Sequence, residues 1–278
     1  MFFSSKTRPR TCSRARVASL TLVTLMLVGG SKLAVAADMA KPGIPTKAPV
    51  APPYQWTGCY VGLNGGGGAI GTNFETTVNP SPGAPLGTAD AAEVSNDGTG
   101  SYNNSNFIGG GQAGCNWQSG TVVAGLEGDF DYFPGHSSFA NNTDTLPSSN
   151  APFVIGQQLT TNYLATVRPR IGIAADRNFA YLTGGVAFTR ASYTESYADN
   201  NGATGAATAS SFLTGWTAGA GWEYALSDHW LVRVEYLFAA FPSTSAVGAI
   251  ALGDATNSLH GSAGLVMQVA RAGVNFKF

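Results

Sequence analysis

The stretch TVVAGLEGDFDY, residues 121–132, alternates between two kinds of side chain from one residue to the next. Successive side chains of a β-strand point to opposite faces, so Glu127, Asp129 and Asp131 share one face. Leucine, glycine, phenylalanine and tyrosine occupy the positions between and beside them. This alternation predicts a strand that separates a charged environment from an apolar one.

Seven further segments outside this stretch alternate in the same way and are separated by turn residues. The eight predicted strands cover 56–67, 105–118, 121–132, 159–174, 179–193, 212–226, 230–241 and 260–278. Tight turns at 118–120, 176–178 and 227–229 alternate with long connections at 71–104, 133–158, 194–211 and 242–259. Short periplasmic turns opposite long extracellular loops are typical of outer-membrane barrels. The sequence therefore predicts an all-β fold, an eight-stranded antiparallel transmembrane barrel with up-and-down meander topology.

The charged faces of these strands carry five acidic and five basic residues, which is a balanced set. Such a set suits an enclosed interior held by ion pairs, with lipid covering the opposite, aromatic face. A lipocalin-like soluble barrel would reverse the two faces, so the face chemistry favours the membrane. The predicted interior network comprises Glu127, Asp129, Asp131, Arg168, Arg170, Glu223, Arg233, Glu235, Arg271 and Lys277. The predicted aromatic girdles comprise Trp117, Tyr224, Trp230 and Phe278 below, and Phe130, Phe188, Trp216 and Phe238 above.

The first 36 residues are typical of a secretory signal. A basic region without acidic residues precedes an apolar run over 17–30 and an Ala-Val-Ala cleavage pattern at 34–36. The proline-rich segment 37–55 is expected to form a periplasmic tail, and 56–278 the barrel. Removal of the signal changes the net charge from −1 to −7, because six of the 15 basic residues and none of the 16 acidic ones lie in it. Neither value suits a nucleic-acid binder.

Two cysteines, Cys59 and Cys115, remain after cleavage. They lie on the first and second predicted strands, at similar depth near the periplasmic end and on the outward phase. An antiparallel pairing would place them opposite each other within disulfide reach, and an oxidising compartment permits the bond. A register slip of one residue would separate them, so two lipid-facing thiols remain the alternative.

Eight motifs, in order, resemble the small outer-membrane immunogenic proteins of alphaproteobacteria, which belong with the OmpA-like eight-stranded barrels and porin family proteins. They are WTGCYVGLNGGGG (56–68), GGGQAGCNWQ (109–118), GLEGDFDY (125–132), TVRPRIG (166–172), YLTGGVAF (181–188), GWTAGAGWEYAL (215–226), VRVEYLF (232–238) and RAGVNFKF (271–278). The resemblance covers the whole mature chain and implies the outer membrane as the location. It also implies that Phe276 and Phe278 form the signal read by the outer-membrane assembly machinery.

Three functions follow as hypotheses. The first is a structural surface protein that contributes to envelope integrity, with outer-membrane lipid and lipopolysaccharide as partners. The second is a narrow porin, although eight strands leave room only for side chains. The third is a rim-located lipid-modifying enzyme using His136 and Ser138, but no orienting acid accompanies this pair, so no enzyme is expected.

No phosphate-binding loop, metal-ligand cluster or dinucleotide motif is present in the sequence, so we expect no cofactor. The long connections carry eight acidic residues, which predict acidic loops. Such charges are typical of a soluble surface, and weak divalent-cation binding that bridges the loops to lipopolysaccharide is the alternative hypothesis. The eight acidic residues are Glu75, Asp90, Glu93, Asp97, Asp144, Glu195, Asp199 and Asp254.

Overall fold

Eight antiparallel strands form a closed barrel in the computed structural model, which describes residues 53–141 and 144–278. Each strand pairs with its sequence neighbours, and the first strand also pairs with the last, which confirms the predicted meander. The predicted signal and most of the predicted tail lie outside the described residues. The strands are β1 (Gly58–Asn79), β2 (Gly100–Ser119), β3 (Val122–Asn141), β4 (Phe153–Ala175), β5 (Asn178–Asp199), β6 (Thr204–Ala225), β7 (Trp230–Leu252) and β8 (Ala255–Lys277), and a helix α1 (Thr88–Asp97) joins β1 to β2.

The strands are longer than the sequence indicates, since the predicted segments contain 12 to 19 residues. The observed strands contain 20 to 23 residues and continue through most of the segments predicted as long loops. A strand needs about 9–11 residues to cross a bilayer, so roughly half of each strand extends beyond the membrane. The described part of the chain has no helix long and apolar enough to span a membrane.

The polarity of the two barrel faces inverts between the lower and upper halves. In the lower half of β3, Glu127 and Asp129 point inward and are buried, whereas Phe130 points outward and is exposed. In the upper half of β1, Phe74 points inward and its neighbour Glu75 points outward. The lower half therefore suits lipid outside, and the upper half suits water outside and an apolar core inside.

The level at which the faces invert is lined by outward aromatic side chains. Trp216 packs against Phe238 with ring centroids 5.4 Å apart, and Phe188 stacks on Phe212 at 5.9 Å. Directly above Trp216 the β6–β7 ladder stops, and it resumes only at Ala206. Backbone groups without ladder partners are not tolerated in hydrocarbon, so the outer limit of the membrane lies near Trp216.

The lower mouth of the barrel is closed by the residues that precede β1. Trp56 is fully buried against Phe179, with ring centroids 5.1 Å apart, and its Nε1 donates to the carbonyl oxygen of Asp176 at 3.0 Å. Tyr54 joins this cluster, although the sequence placed it in the tail. Tyr54 therefore belongs to the barrel and not to the predicted tail, because its large ring is buried with that of Trp56 in the lower mouth.

The upper mouth is closed by α1, which the sequence analysis missed. Ala91 and Val94 lie on its buried face, and Leu86 is buried just before it. Asp90 anchors the helix to the β3–β4 connection, since its carboxylate accepts from the Ser148 backbone N–H at 2.9 Å and hydroxyl at 2.6 Å.

The structure corrects the prediction of acidic loops. Asp90 and Glu195 are buried, and Glu75 lies on the outer wall of β1. Glu93 and Asp97 belong to α1. The inward phase of β5 explains the burial of Glu195, and the contact of α1 with Ser148 explains that of Asp90.

Candidate functional site: the interior charge network

The lower barrel interior is filled by buried charged side chains from five strands. Because side chains of one phase share a face, residues two apart on a strand point to the interior together. Nine of the ten residues predicted for the network lie there. They are Glu127, Asp129 and Asp131 on β3, Arg168 and Arg170 on β4, Glu223 on β6, Arg233 and Glu235 on β7, and Arg271 on β8.

Arg168 lies at the centre of this network and is fully buried. Its Nη2 lies 2.9 Å from Glu127 Oε1 and 2.6 Å from Asp129 Oδ2, and its Nη1 lies 3.2 Å from Glu235 Oε1. Its Nε donates to Thr166 Oγ1 at 2.8 Å. One guanidinium thus joins carboxylates from β3 and β7 across the lumen.

Two further guanidiniums share these carboxylates from the opposite wall. Arg271 contacts Asp129 at 3.0 Å, Glu235 at 2.7 Å, and Asp131. Arg233 contacts Glu127 at 2.6 Å and Glu235 at 3.1 Å. Every carboxylate named here is therefore bound to a guanidinium, which is the condition for burying charge.

Arg170 forms a second layer below Arg168. Its Nη1 lies 2.6 Å from Glu223 Oε1, and its Nε donates to Asn116 Oδ1 at 2.9 Å. The guanidinium also lies over the Tyr60 ring, 4.7 Å from the centroid, where a cation–π interaction adds to the ion pair.

Two tyrosines complete the network and were missed by the sequence analysis. The hydroxyl of Tyr60 donates to Glu127, and that of Tyr181 donates to Glu235 at 3.0 Å. Glycines opposite them provide the space, since a Cβ at Gly114 or Gly221 would overlap these tyrosines. The inward phase of both tyrosines was the signal that could have identified them.

Lys277 does not belong to the network, which corrects the prediction. It follows the inward phase of β8, but at the last residue of the strand it reaches only the periplasmic rim. There its Nζ lies 4.4 Å from the Tyr54 ring centroid and donates to the Gln55 carbonyl. The network therefore holds five carboxylates and four guanidiniums, a formal charge of −1.

Cys59 and Cys115 are joined by a disulfide in the structure. The β1–β2 register places them directly opposite each other on the outer face. The bond lies near the periplasmic end of the wall, where the Phe278 backbone N–H donates to the Cys59 carbonyl at 3.0 Å.

The terminal aromatic residues lie at the same rim. Phe276 packs edge-on against Trp230, with ring centroids 5.2 Å apart, and Phe278 is largely exposed. The two residues of the predicted assembly signal are therefore both exposed at the periplasmic rim.

The predicted rim pair, His136 and Ser138, lies on the outer wall of β3 and is exposed. The side chain that contacts His136 Nδ1 is the amide of Gln158, at 3.3 Å. An amide in this position supplies no orienting carboxylate for a base–nucleophile pair.

Comparison with known proteins agrees with this geometry. A family model described as outer membrane protein beta-barrel domain matches residues 46–278. The chain is 33% identical over 250 residues to the 31 kDa outer-membrane immunogenic protein of Brucella melitensis biotype 1, covering 88% of this chain and 93% of that protein. It is 31% identical to the 25 kDa outer-membrane immunogenic protein of Brucella canis, covering 80% of this chain and 84% of that protein.

Among solved structures, the outer membrane protease OmpT of Escherichia coli resembles the chain with a TM-score of 0.44 and 8% identity, covering 81% of this chain and 98% of that chain. That likeness is too low to support any conclusion. The sequence relatives and the family model, together with the closed barrel, confirm the predicted location in the outer membrane. The chain belongs to the outer-membrane β-barrel family that includes the outer-membrane immunogenic proteins of Brucella.

Proposed function

We propose that the protein is a structural, non-enzymatic component of the outer membrane that contributes to envelope integrity as a sealed barrel. The observation that carries this proposal is the filling of the interior along the described barrel. Buried charges occupy the lower half, and apolar side chains such as Phe74, Leu213 and Met267 occupy the upper half. Trp56 closes one mouth and α1 the other.

The same filling weighs against a narrow porin. An eight-stranded barrel has an interior that side chains can fill, and here an ion-pair layer crosses it. A solute would have to separate buried guanidiniums from their carboxylates, and the cost of unpairing a buried charge is several kcal/mol, roughly 3–5.

A strain that lacks the protein tests the structural role. We expect it to be more sensitive to detergent and to release more vesicles than its parent, with recovery on expression of the wild-type chain. Complementation with Arg168→Ala should give poor recovery, because this variant removes buried ion pairs of the interior. Complementation with the matched variant Arg177→Ala, which removes an exposed ion pair, should give full recovery. Unchanged sensitivity and vesicle release in the deletion strain would argue against the proposal.

The same strains, grown with and without added magnesium, test a role of divalent cations. We propose that weak divalent-cation bridging to lipopolysaccharide involves exposed carboxylates such as Glu75 and Asp254. Complementation with both carboxylates changed to amides should then respond less to millimolar magnesium. An equal response of the two strains would contradict cation bridging and leave the structural role standing.

A further inference from the structure

A buried carboxyl group lies beneath α1, in the part of the barrel above the membrane. Glu195 is on β5, nine residues beyond Val186, which pairs with Trp216 at the outer limit of the membrane. Its side chain is fully buried, with 0% of the residue exposed. A carboxyl group in such a place must be either paired or neutral.

Three side chains contact this carboxyl group. The Thr76 hydroxyl lies against Oε1, the Gln157 amide nitrogen lies 3.2 Å from Oε1, and the Tyr193 hydroxyl donates to Oε2 at 3.1 Å. On the remaining side is Gly261 of β8, where a Cβ would overlap Oε2. The carboxyl group is therefore enclosed by β1, β4, β5 and β8.

The same cluster binds the C-terminal end of α1. The Thr76 hydroxyl donates to the Gly98 carbonyl at 3.3 Å, and the Gln157 amide donates to it at 2.9 Å. Gly98 is the C-cap of the helix, where carbonyl groups lack intrahelical partners. The seating of α1 thus depends on the side chains that also contact Glu195.

No basic side chain neutralises Glu195 among the described residues around it. The contacting residues from β1, β4 and β8 are Thr76, Gln157 and Gly261, and the end of α1 is reached through Gly98. None of these residues titrates. On its own strand the titratable neighbour is Tyr193, whose pKa is raised by burial, so it stays neutral. Burial likewise raises the pKa of Glu195 above its ordinary value.

The single hydroxyl hydrogen of Thr76 couples the protonation of Glu195 to the end of the helix. Thr76 has one hydroxyl hydrogen, but its oxygen lies beside both Glu195 and the Gly98 carbonyl. If Glu195 is protonated, it donates to Thr76, and Thr76 donates to Gly98. If Glu195 is ionised, Thr76 donates its hydrogen to the carboxylate. The Thr76 hydroxyl oxygen and the Gly98 carbonyl oxygen then face each other without a hydrogen between them.

We propose that Glu195 is a protonation site that fastens α1 in the upper mouth of the barrel. The neutral acid keeps both hydrogen bonds to the end of the helix, and loss of its proton to water loosens that end, which the Gln157 amide still binds. This protonation site adds a pH-dependent closure at the surface side of the barrel to the structural role.

The direction of the pH dependence follows from the raised pKa. The folded state binds the Glu195 proton more tightly than the unfolded state, so the stabilisation of α1 is complete at acid pH. It is lost as the pH rises through the folded-state pKa. Asp97 is a separate source of pH dependence, since burial and nearby Asp144 raise its pKa to about 6.

Hydrogen exchange of residues 88–98 tests the proposal in the full mature protein in bilayer discs. After correction for intrinsic exchange rates, protection of the wild type should fall roughly twofold to tenfold between about pH 5 and about pH 9, as expected for one lost hydrogen bond. Glu195→Gln mimics the neutral acid and should keep high protection throughout. Glu75→Gln, a matched change on the outer face beside Thr76, should behave as the wild type.

Two further variants separate the alternatives. Asp97→Asn should retain the fall in protection, whereas Thr76→Val should give low protection at every pH because it lacks the bridging hydroxyl. Constant wild-type protection, or a fall that persists in Glu195→Gln, would overturn the proposal. If Glu195→Gln does not assemble, Thr76→Val decides, since a wild-type pH profile in that variant would equally overturn it.

Discussion

Replacing Arg168 by alanine should lower the free energy of unfolding by about 3–5 kcal/mol, the usual cost of removing one partner from a buried ion pair. The guanidinium contacts three carboxylates, on Glu127, Asp129 and Glu235, and none of them can reach water. Arg233 and Arg271 already share these carboxylates, so the variant leaves five buried carboxylates facing three guanidiniums. Urea unfolding of the protein refolded into lipid vesicles measures the effect.

Arg177→Ala is the matched control, because it removes the same side chain from a periplasmic turn. Arg177 lies 3.7 Å from Asp228, and both side chains are substantially exposed, at 38% and 84%. Exposed ion pairs contribute about 0–1 kcal/mol, so this variant should unfold near the wild-type midpoint. Equal shifts of the two midpoints would contradict the interior placement of Arg168.

Loss of the Cys59–Cys115 disulfide should be the second large effect. The bond spans a sequence separation of 56 residues, and the enclosed segment includes α1. Chain entropy predicts a stabilisation of about 4 kcal/mol for a loop of this length, as an upper value. The double variant Cys59→Ala, Cys115→Ala should unfold at a correspondingly lower urea concentration.

Reduction of the wild type before unfolding is the control, since it removes the bond without removing either side chain. It should shift the midpoint in the same direction and by a similar amount. Thiol alkylation of the denatured, unreduced protein checks the bond directly. Labelling of both cysteines would show that no bond forms and would remove the basis of this prediction.

The lower half of the barrel was predictable because its two faces differ strongly in chemistry. Charged residues such as Glu127 and Arg233 alternate with aromatic and aliphatic ones, so strand, face and neighbours follow from a period of two. Alternation predicts which barrel face a side chain occupies, but not its position along the barrel axis. Lys277 was therefore placed on the correct phase, although it lies below the ion pairs at the rim.

The upper half was not predictable because its two faces differ only weakly in chemistry. Its outer face carries Ser, Thr and Asn where the lower face carries aromatic residues, and small residues such as Gly and Ala weaken the contrast. Glu195 was consequently assigned to an acidic loop, although it is buried in β5. The helix α1 left a weak signal, since Ala91 and Val94 are three residues apart but only four of the ten residues, three alanines and one glutamate, are strong helix formers.

Single-channel recording in planar bilayers tests the sealed interior most directly. Because ion pairs cross the lower barrel and α1 closes the upper mouth, the purified wild-type protein should give no steady conductance steps, while a large porin in the same bilayer does. Insertion of the protein is verified by its resistance to added protease. Steady steps comparable to those of the large porin would contradict a sealed structural barrel.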